Sequence, residues 1–516
     1  MTTAVDRDQP EAGVVPRERL EITVTPDGKE HVVGVKPKKV IGTVERIVIG
    51  FAAVLAALGW GAIALHRGET INSVWLVLAA IGTYIIGFSL YARLVEYKVV
   101  KPRNTRATPA EYVNDGTDFV PTDRRVLFGH HFAAIAGAGP LVGPVMAAQM
   151  GYLPSTLWII IGVVLAGAVQ DYLVLAVSQR RRGRSLGQML KEEVGRIGGV
   201  AGSIATMVIM VIIIAVLGLV VVNALAESPW GVFSIAMTIP IALFMGVYGR
   251  FLRPGRVAEV SAIGVVLLMA AILGGGYVAE TSWGAELFTL SKSTLAVCIL
   301  VYGVIASVLP VWLLLAPRDY LSTFMKIGVI VMLALAILID RPEVHMPAVT
   351  VFGREGGGPV FSGTLFPFLF ITIACGALSG FHALISSGTT PKLLEKETHA
   401  RAIGYGGMLM ESFVAIMALI TAVVLDRHIY FAINSPKAKT GGEEATAAEF
   451  VNGLNIPGQG VSAEQLTALA EAVGEPSIVS RTGGAPTFAI GMSEIMTNIV
   501  GHPGICLLYT SDAADE

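Results

Sequence analysis

The stretch at 129–154 reads GHHFAAIAGAGPLVGPVMAAQMGYLP. It is apolar and long enough to cross a bilayer, which takes about 20 residues. Yet it contains five glycines and three prolines, the residues a helix interior tolerates worst. Pro140 and Pro144 lie four apart beside Gly137, Gly139 and Gly143. Backbone groups freed by such residues find no water in a bilayer, so they must face protein, a cavity or a substrate. The run AGAGPLVGP at 136–144 is therefore read as a helix interrupted near mid-membrane. The competing reading is close helix packing through small residues, which needs no substrate. Two prolines among clustered glycines favour the break.

The rest of the chain supplies a membrane context. Of 516 residues, 53% are hydrophobic and 15% charged, and mean hydropathy is +0.67. Soluble chains are usually about one quarter charged. Runs able to span occur at 47–65, 71–91, 129–150, 155–178, 200–225, 231–249, 257–278, 294–315, 321–339, 365–388, 403–425 and 486–506. That is about twelve segments of an all-α polytopic bundle. With the N-terminus inside, the inside connections and tail carry 28 of the 37 Lys and Arg, and the outside connections carry eight. The positive-inside rule supports this parity. It supports a multi-pass chain with a cytoplasmic N-terminus.

The first 45 residues are polar, without a signal-peptide core, and read as a mostly disordered tail with a strand-like patch at EITVTPDGKEHVVGV. The bundle is expected over 46–506. In the long outside loop, 426–485, SAEQLTALAEAV suits a short surface helix, and the acidic 507–516 reads as a non-native tail, the mark of a C-terminally truncated chain. A net charge of −2 suggests no nucleic-acid partner. Cys298, Cys375 and Cys506 show neither zinc nor disulfide spacing.

An internal echo is present. GPVMAAQMGYLPSTLW at 143–158 resembles LPVWLLLAPRDYLSTFM at 309–325, with Pro144 and Pro310 at matching positions 166 residues apart. Segments three to seven would then repeat as eight to twelve, in units of about 129–278 and 294–506. A shift of five segments is odd, so the units face opposite ways, as in inverted-repeat carriers. The second break is expected in VYGVIASVLPV at 301–311, from Gly303 to Pro310.

Several polar residues lie within spans. Ser379, His382 and Ser386 share one helical face, and Ser387, Thr389 and Thr390 continue the polar run. These residues suit substrate contact or interhelical hydrogen bonding. Glu411 lies about nine residues into its segment, where an acid can exchange protons with a carrier's substrate path. Structural pairing with a histidine is the alternative. Asp171, beside Gln170, suits coupling or an interior arginine. Glu494 is a weaker candidate. Lys326 and Glu259 read as snorkelling side chains near inside ends. His130 and His131 point about 100° apart, so both cannot serve one site equally. No metalloprotease, phosphate-loop or nucleophile-elbow motif is present, so no enzyme, cofactor or metal is expected.

These motifs, with GAVQDYLVLAVSQRRRGRSLGQ, LFPFLFITIACGALSGFHALISSGTTPK and IGYGGMLMESFVAIMALI, resemble the carbon-starvation protein CstA family. The resemblance runs from about 40 to 505. It implies an inner-membrane carrier of the amino acid–polyamine–organocation type that takes up peptides or pyruvate, with protons as coupling ion. The expectation is a LeuT-like inverted repeat with broken helices. Substrate would sit at Gly137, Gly139, Pro140, Gly143, Pro144, Gly303 and Pro310, beside Ser379, His382 and Ser386. Coupling would use Glu411, Asp171 or His382. The rival is a membrane nutrient sensor that binds the same ligands without net transport.

Overall fold

The computed structural model describes residues 20–24, 30–35, 50, 71–226, 228–472 and 477–500. In the N-terminal tail, β1 (Leu20–Val24) and β2 (Glu30–Val35) pair antiparallel, with Ile22 opposite Val32. They fall on the strand-like patch. The rest of the tail, all but Gly50 of the first expected span, and 507–516 lie outside the described residues.

The remainder is helical. The long helices are α1 (Val74–Val100), α2 (Arg124–Ile135), α3 (Gly139–Met150), α4 (Tyr152–Arg180), α5 (Arg196–Leu225), α6 (Pro229–Leu252) and α7 (Val257–Glu280). They continue as α8 (Ser282–Phe288), α9 (Lys292–Val308) and α10 (Leu315–Asp340). Next come two short helices, α11 (Ala374–Ala377) and α12 (Gly380–Ser387). The last are α13 (Glu397–Val424) and α14 (Ala485–Val500). Seven are long and apolar enough to span by themselves; the bent pairs α2–α3 and α8–α9 raise this to nine. Of the expected runs, 365–388 is divided into short helices, and 486–506 is helical over the described Ala485–Val500.

Burial separates centre from rim. In α13, 89% of the most apolar window is buried, against 0% in α5. A helix apolar on every face belongs either in a core or against lipid; these two are the opposite cases. Around α13 pack α1, α2, α3, α4 and α14. The outside loop is folded rather than loose. Its Arg427–Asn434 helix buries Tyr430 and Phe431, and Ala463–Ala472, where a surface helix was expected, buries Leu466.

The chain does break in the opening stretch, but over a shorter span than the prolines suggest. The axis bends by 46° between α2 and α3, and only residues 136–138 leave the helix. Ala136 has φ −81° and ψ 66°. Pro140 lies in the first turn of α3, where no N–H is missed. Pro144 is held inside the helix.

The second expected break needs correction. Gly303 lies on an exposed face of unbroken α9, and Pro310 in the turn that follows it. The 166-residue offset would place a break at 302–304, where the helix continues. The interruption that meets the first lies instead between α11 and α12. There Leu378 (φ −162°, ψ 97°) and Ser379 are extended.

The two arms of the first break have different attachments. The arm that follows the break, α3, is fixed to the loops at 341–364 and 426–485. Gln149 donates to Phe361 O (2.8 Å) and accepts from Val360 N (3.1 Å), and Tyr430 donates to Val145 O (2.7 Å). The arm before the break, α2, lies along α10.

Candidate functional site

Where the two interrupted segments meet, small residues set the distance. A Cβ on Gly139 would lie 2.5 Å from Cys375 Sγ, and one on Gly143 2.3 Å from Thr372 O. Gly137 faces open space, with nothing within 4 Å of a Cβ there. Break and close packing, taken from the sequence as competing readings, coexist in one segment.

Beside this contact lies a buried polar cluster. Asp171 comes from α4, Cys375 from α11, His382 from α12 and Glu411 from α13. Asp171, His382 and Glu411 are 0% exposed. His382 Nδ1 is 3.0 Å from Asp171 Oδ2, and its Nε2 is 3.0 Å from Glu411 Oε2. Cys375 donates to the other Glu411 oxygen at 3.4 Å. The break in the second segment turns α12 so that His382 reaches between α4 and α13. Gln170 donates to Ser379 O at 2.6 Å and so holds the extended turn. The acids and the histidine thus form one unit, and among the described residues no arginine pairs with Asp171.

Two carboxylates either side of one imidazole are groups that can hold a proton. A neutral imidazole donates from one nitrogen only; both carboxylates receive an N–H only from the imidazolium. With Asp171 and Glu411 ionised and His382 protonated, the cluster keeps one net negative charge away from water. One further proton neutralises it, which a low-dielectric interior favours. Cys375, His382 and Glu411 also bring donor atoms within 4.8 Å of one another, close enough to share a metal ion.

The other candidates are distributed around this centre. Ser386 is buried, and its hydroxyl has no hydrogen-bond partner among the described residues. His131 pairs with Thr390 (2.9 Å), whereas His130 pairs with Asp319 (2.7 Å), so the adjacent histidines do serve different neighbours. Ser387 bonds back to Ala383 O. Glu494 is exposed and apart. Glu259 accepts from Tyr248 at 2.7 Å near the inside end. Gly303 and Pro310 are not brought to the cluster. Lys326 corrects the snorkelling expectation: it is 8% exposed, and its ammonium donates to Ala136 O at the first break.

Glu397 is fully buried between Arg106 (2.7 Å) and Arg180 (2.6 Å) and accepts from Arg103 N (2.7 Å). A cavity of about 1510 Å³ lies elsewhere among the described residues. It is an apolar groove between α1, α2, α10, α13 and α14, lined by Phe128, Ile327 and Met496. Its rim residues Ile85, Leu335 and Ile339 are exposed among the described residues, and none of Asp171, Cys375, His382 or Glu411 lines it.

Sequence reasoning missed Cys375 and Lys326. Both had a usable signal. Cys375 stands four before Ser379 and seven before His382, and Lys326 stands seven after Asp319 and three after Thr323. Each extends a polar stripe at helical spacing.

The chain is similar to several known proteins. The chain is 63% identical over 453 residues to "Peptide transporter CstA" of Mycobacterium tuberculosis (strain ATCC 25618 / H37Rv), covering 88% of this chain and 60% of that protein. It is 57% identical over 454 residues to "Peptide transporter CstA" of Escherichia coli (strain K12), covering 87% and 64%. It is 52% identical over 482 residues to "Pyruvate/proton symporter BtsT" of the same strain, covering 90% and 67%. The chain therefore spans about 60% of the length of the Mycobacterium relative. No solved structure matches it. The family model described as "Carbon starvation protein CstA" matches residues 72–510. By that match, and by its identity to these transporters, the chain belongs to the carbon starvation protein CstA family.

Proposed function

We propose that this chain is the core of a secondary active transporter. It takes up peptides or pyruvate across the inner membrane, with its N-terminus cytoplasmic, and couples uptake to protons. The observation that carries the reading is the buried Asp171–His382–Glu411 unit beside two touching helix breaks. Broken helices in carriers of this type present freed backbone groups to substrate near mid-membrane. Substrate is assigned to the break around Gly137 to Pro144, with Ser379, His382 and Ser386 opposite. The names of the relatives support both substrate classes, and that of the pyruvate/proton symporter supports the coupling ion. No observation favours a sensor.

The test is uptake of labelled pyruvate and of a labelled dipeptide into vesicles under an imposed proton gradient, with the Mycobacterium relative assayed in parallel. Accumulation that a protonophore abolishes is expected for one of the two. Equilibration without accumulation, in a preparation whose reference protein concentrates substrate, would overturn the reading.

A further inference from the structure

Three side chains beside the touching breaks carry metal-ligand atoms of three kinds. Cys375 on α11 offers a thiol, His382 on α12 an imidazole nitrogen and Glu411 on α13 a carboxylate. These atoms all lie within 4.8 Å of one another. Their separations suit one small ion. His382 Nε2 is 3.0 Å from Glu411 Oε2, and Cys375 Sγ is 3.4 Å from Glu411 Oε1. A tetrahedral zinc ion, with bonds of about 2.0 Å to nitrogen and oxygen and about 2.3 Å to sulfur, sets its ligands about 3.3 Å (N···O) and about 3.5 Å (S···O) apart. The two contacts use different oxygens of one carboxylate, so a small rotation of that group brings either to the ion.

A second observation is independent of these three atoms. Asp171, on α4, holds the far side of the ring, with its Oδ2 3.0 Å from His382 Nδ1. A metal-binding histidine almost always donates from its other nitrogen to a carboxylate, carbonyl or water, which fixes the tautomer and aims the free nitrogen at the metal. Here the nitrogen so aimed is Nε2, on the side of Glu411 and Cys375. Gln170, next to Asp171, donates to Ser379 O and so ties the turn between the two helices that carry Cys375 and His382.

We infer that Cys375, His382 and Glu411 form a site for a divalent transition metal of the zinc kind, with Asp171 as the carboxylate that orients the imidazole. A thiolate beside an imidazole selects zinc-like ions over magnesium and calcium, which take oxygen ligands. Binding releases the thiol proton and any proton on Nε2, so metal and proton exclude one another at this position. A bound ion bridges three helices at the contact between the breaks and leaves a fourth position for water. Arrest of proton-coupled uptake by zinc rests on the carrier reading; the site itself does not, and its test reads metal without transport.

The purified, untagged 516-residue chain, reduced and freed of metal, would be titrated with cobalt(II). One equivalent should bind with a thiolate-to-cobalt charge-transfer band in the near ultraviolet and visible bands of tetrahedral strength. Zinc should erase both, and magnesium should not. Zinc at about a hundredfold excess over its Kd should raise Tm by roughly 2–5 °C. Cys375→Ser should lose the charge-transfer band and the Tm shift. The double variant Cys298→Ser, Cys506→Ser leaves Cys375 as the only thiol and should keep the band, which makes the assignment even where Cys375→Ser does not fold. Asp171→Asn should keep the spectrum with roughly 10–100-fold weaker binding, the mark of an orienting and not a ligating group. A wild type without the charge-transfer band, a band that survives Cys375→Ser, or a band lost in the double variant would overturn the proposal. Failure of the uptake assay leaves all of these readouts unchanged.

Discussion

A Cβ on Gly143 would stand 2.3 Å from the carbonyl oxygen of Thr372. The two interrupted segments therefore meet at a point where one of them has no side chain. Gly143→Ala must push backbone, not a flexible side chain. A loss of about 1–3 kcal/mol is expected, read as a lowered Tm in detergent. Gly137→Ala, with nothing within 4 Å of the added carbon, serves as control and should stay within about 0.5 kcal/mol of wild type. Equal effects at the two positions would mean that the segments do not meet as described.

The two carboxylates flanking His382 should be separable from substrate binding. Glu411→Gln and Asp171→Asn keep shape and hydrogen bonding but cannot titrate. Each should reduce gradient-driven accumulation to the level seen without a gradient, while exchange of labelled for unlabelled substrate persists. A variant that still concentrates substrate with unchanged pH dependence would assign that residue a structural role. Loss of exchange together with accumulation would place it in the binding site instead.

Glu397 is 0% exposed, while the side chains of Arg106 and Arg180 that flank it are 43% and 31% exposed. Glu397→Gln leaves two guanidinium groups without their counter-charge. The expected cost is about 2–4 kcal/mol, below the full buried-pair value because water still reaches both arginines. A double-mutant cycle with Arg180→Gln should show that the two losses are not additive. Full additivity would mean that the 2.6 Å contact contributes little.

How much of this was legible in the sequence depended on whether the signal was local. The first break could be read because Pro140 and Pro144 act on the backbone they belong to. The second was placed wrongly, at Gly303 to Pro310, because a short Pro-Val echo was extended by counting. The actual interruption at Leu378 and Ser379 contains neither glycine nor proline. Glu411, Asp171 and His382 could be listed, since a charge within an apolar run is costly and so conspicuous. Pairing of Glu411 with a histidine was one of the alternatives, but the arrival of Asp171, 211 residues before His382, could not be read from local spacing. Lys326 was misread for a related reason. Its position near a segment end suggested an exit to water, but the direction of a side chain depends on which neighbour its helix lies against.

The three residues from Ala136 to Ala138 also divide mechanical attachments. After them, α3 is moored by Gln149 and Tyr430 to the loops at 341–364 and 426–485. Before them, α2 is moored to α10 through Asp319, Thr323 and Lys326. Torsion at this joint can swing α2 and α10 as one lever while the mooring of α3 stays fixed. The joint ends at Gly139, which packs on Cys375, and Cys375 donates to Glu411, so the two moorings converge on the helix that holds one of the acids beside His382.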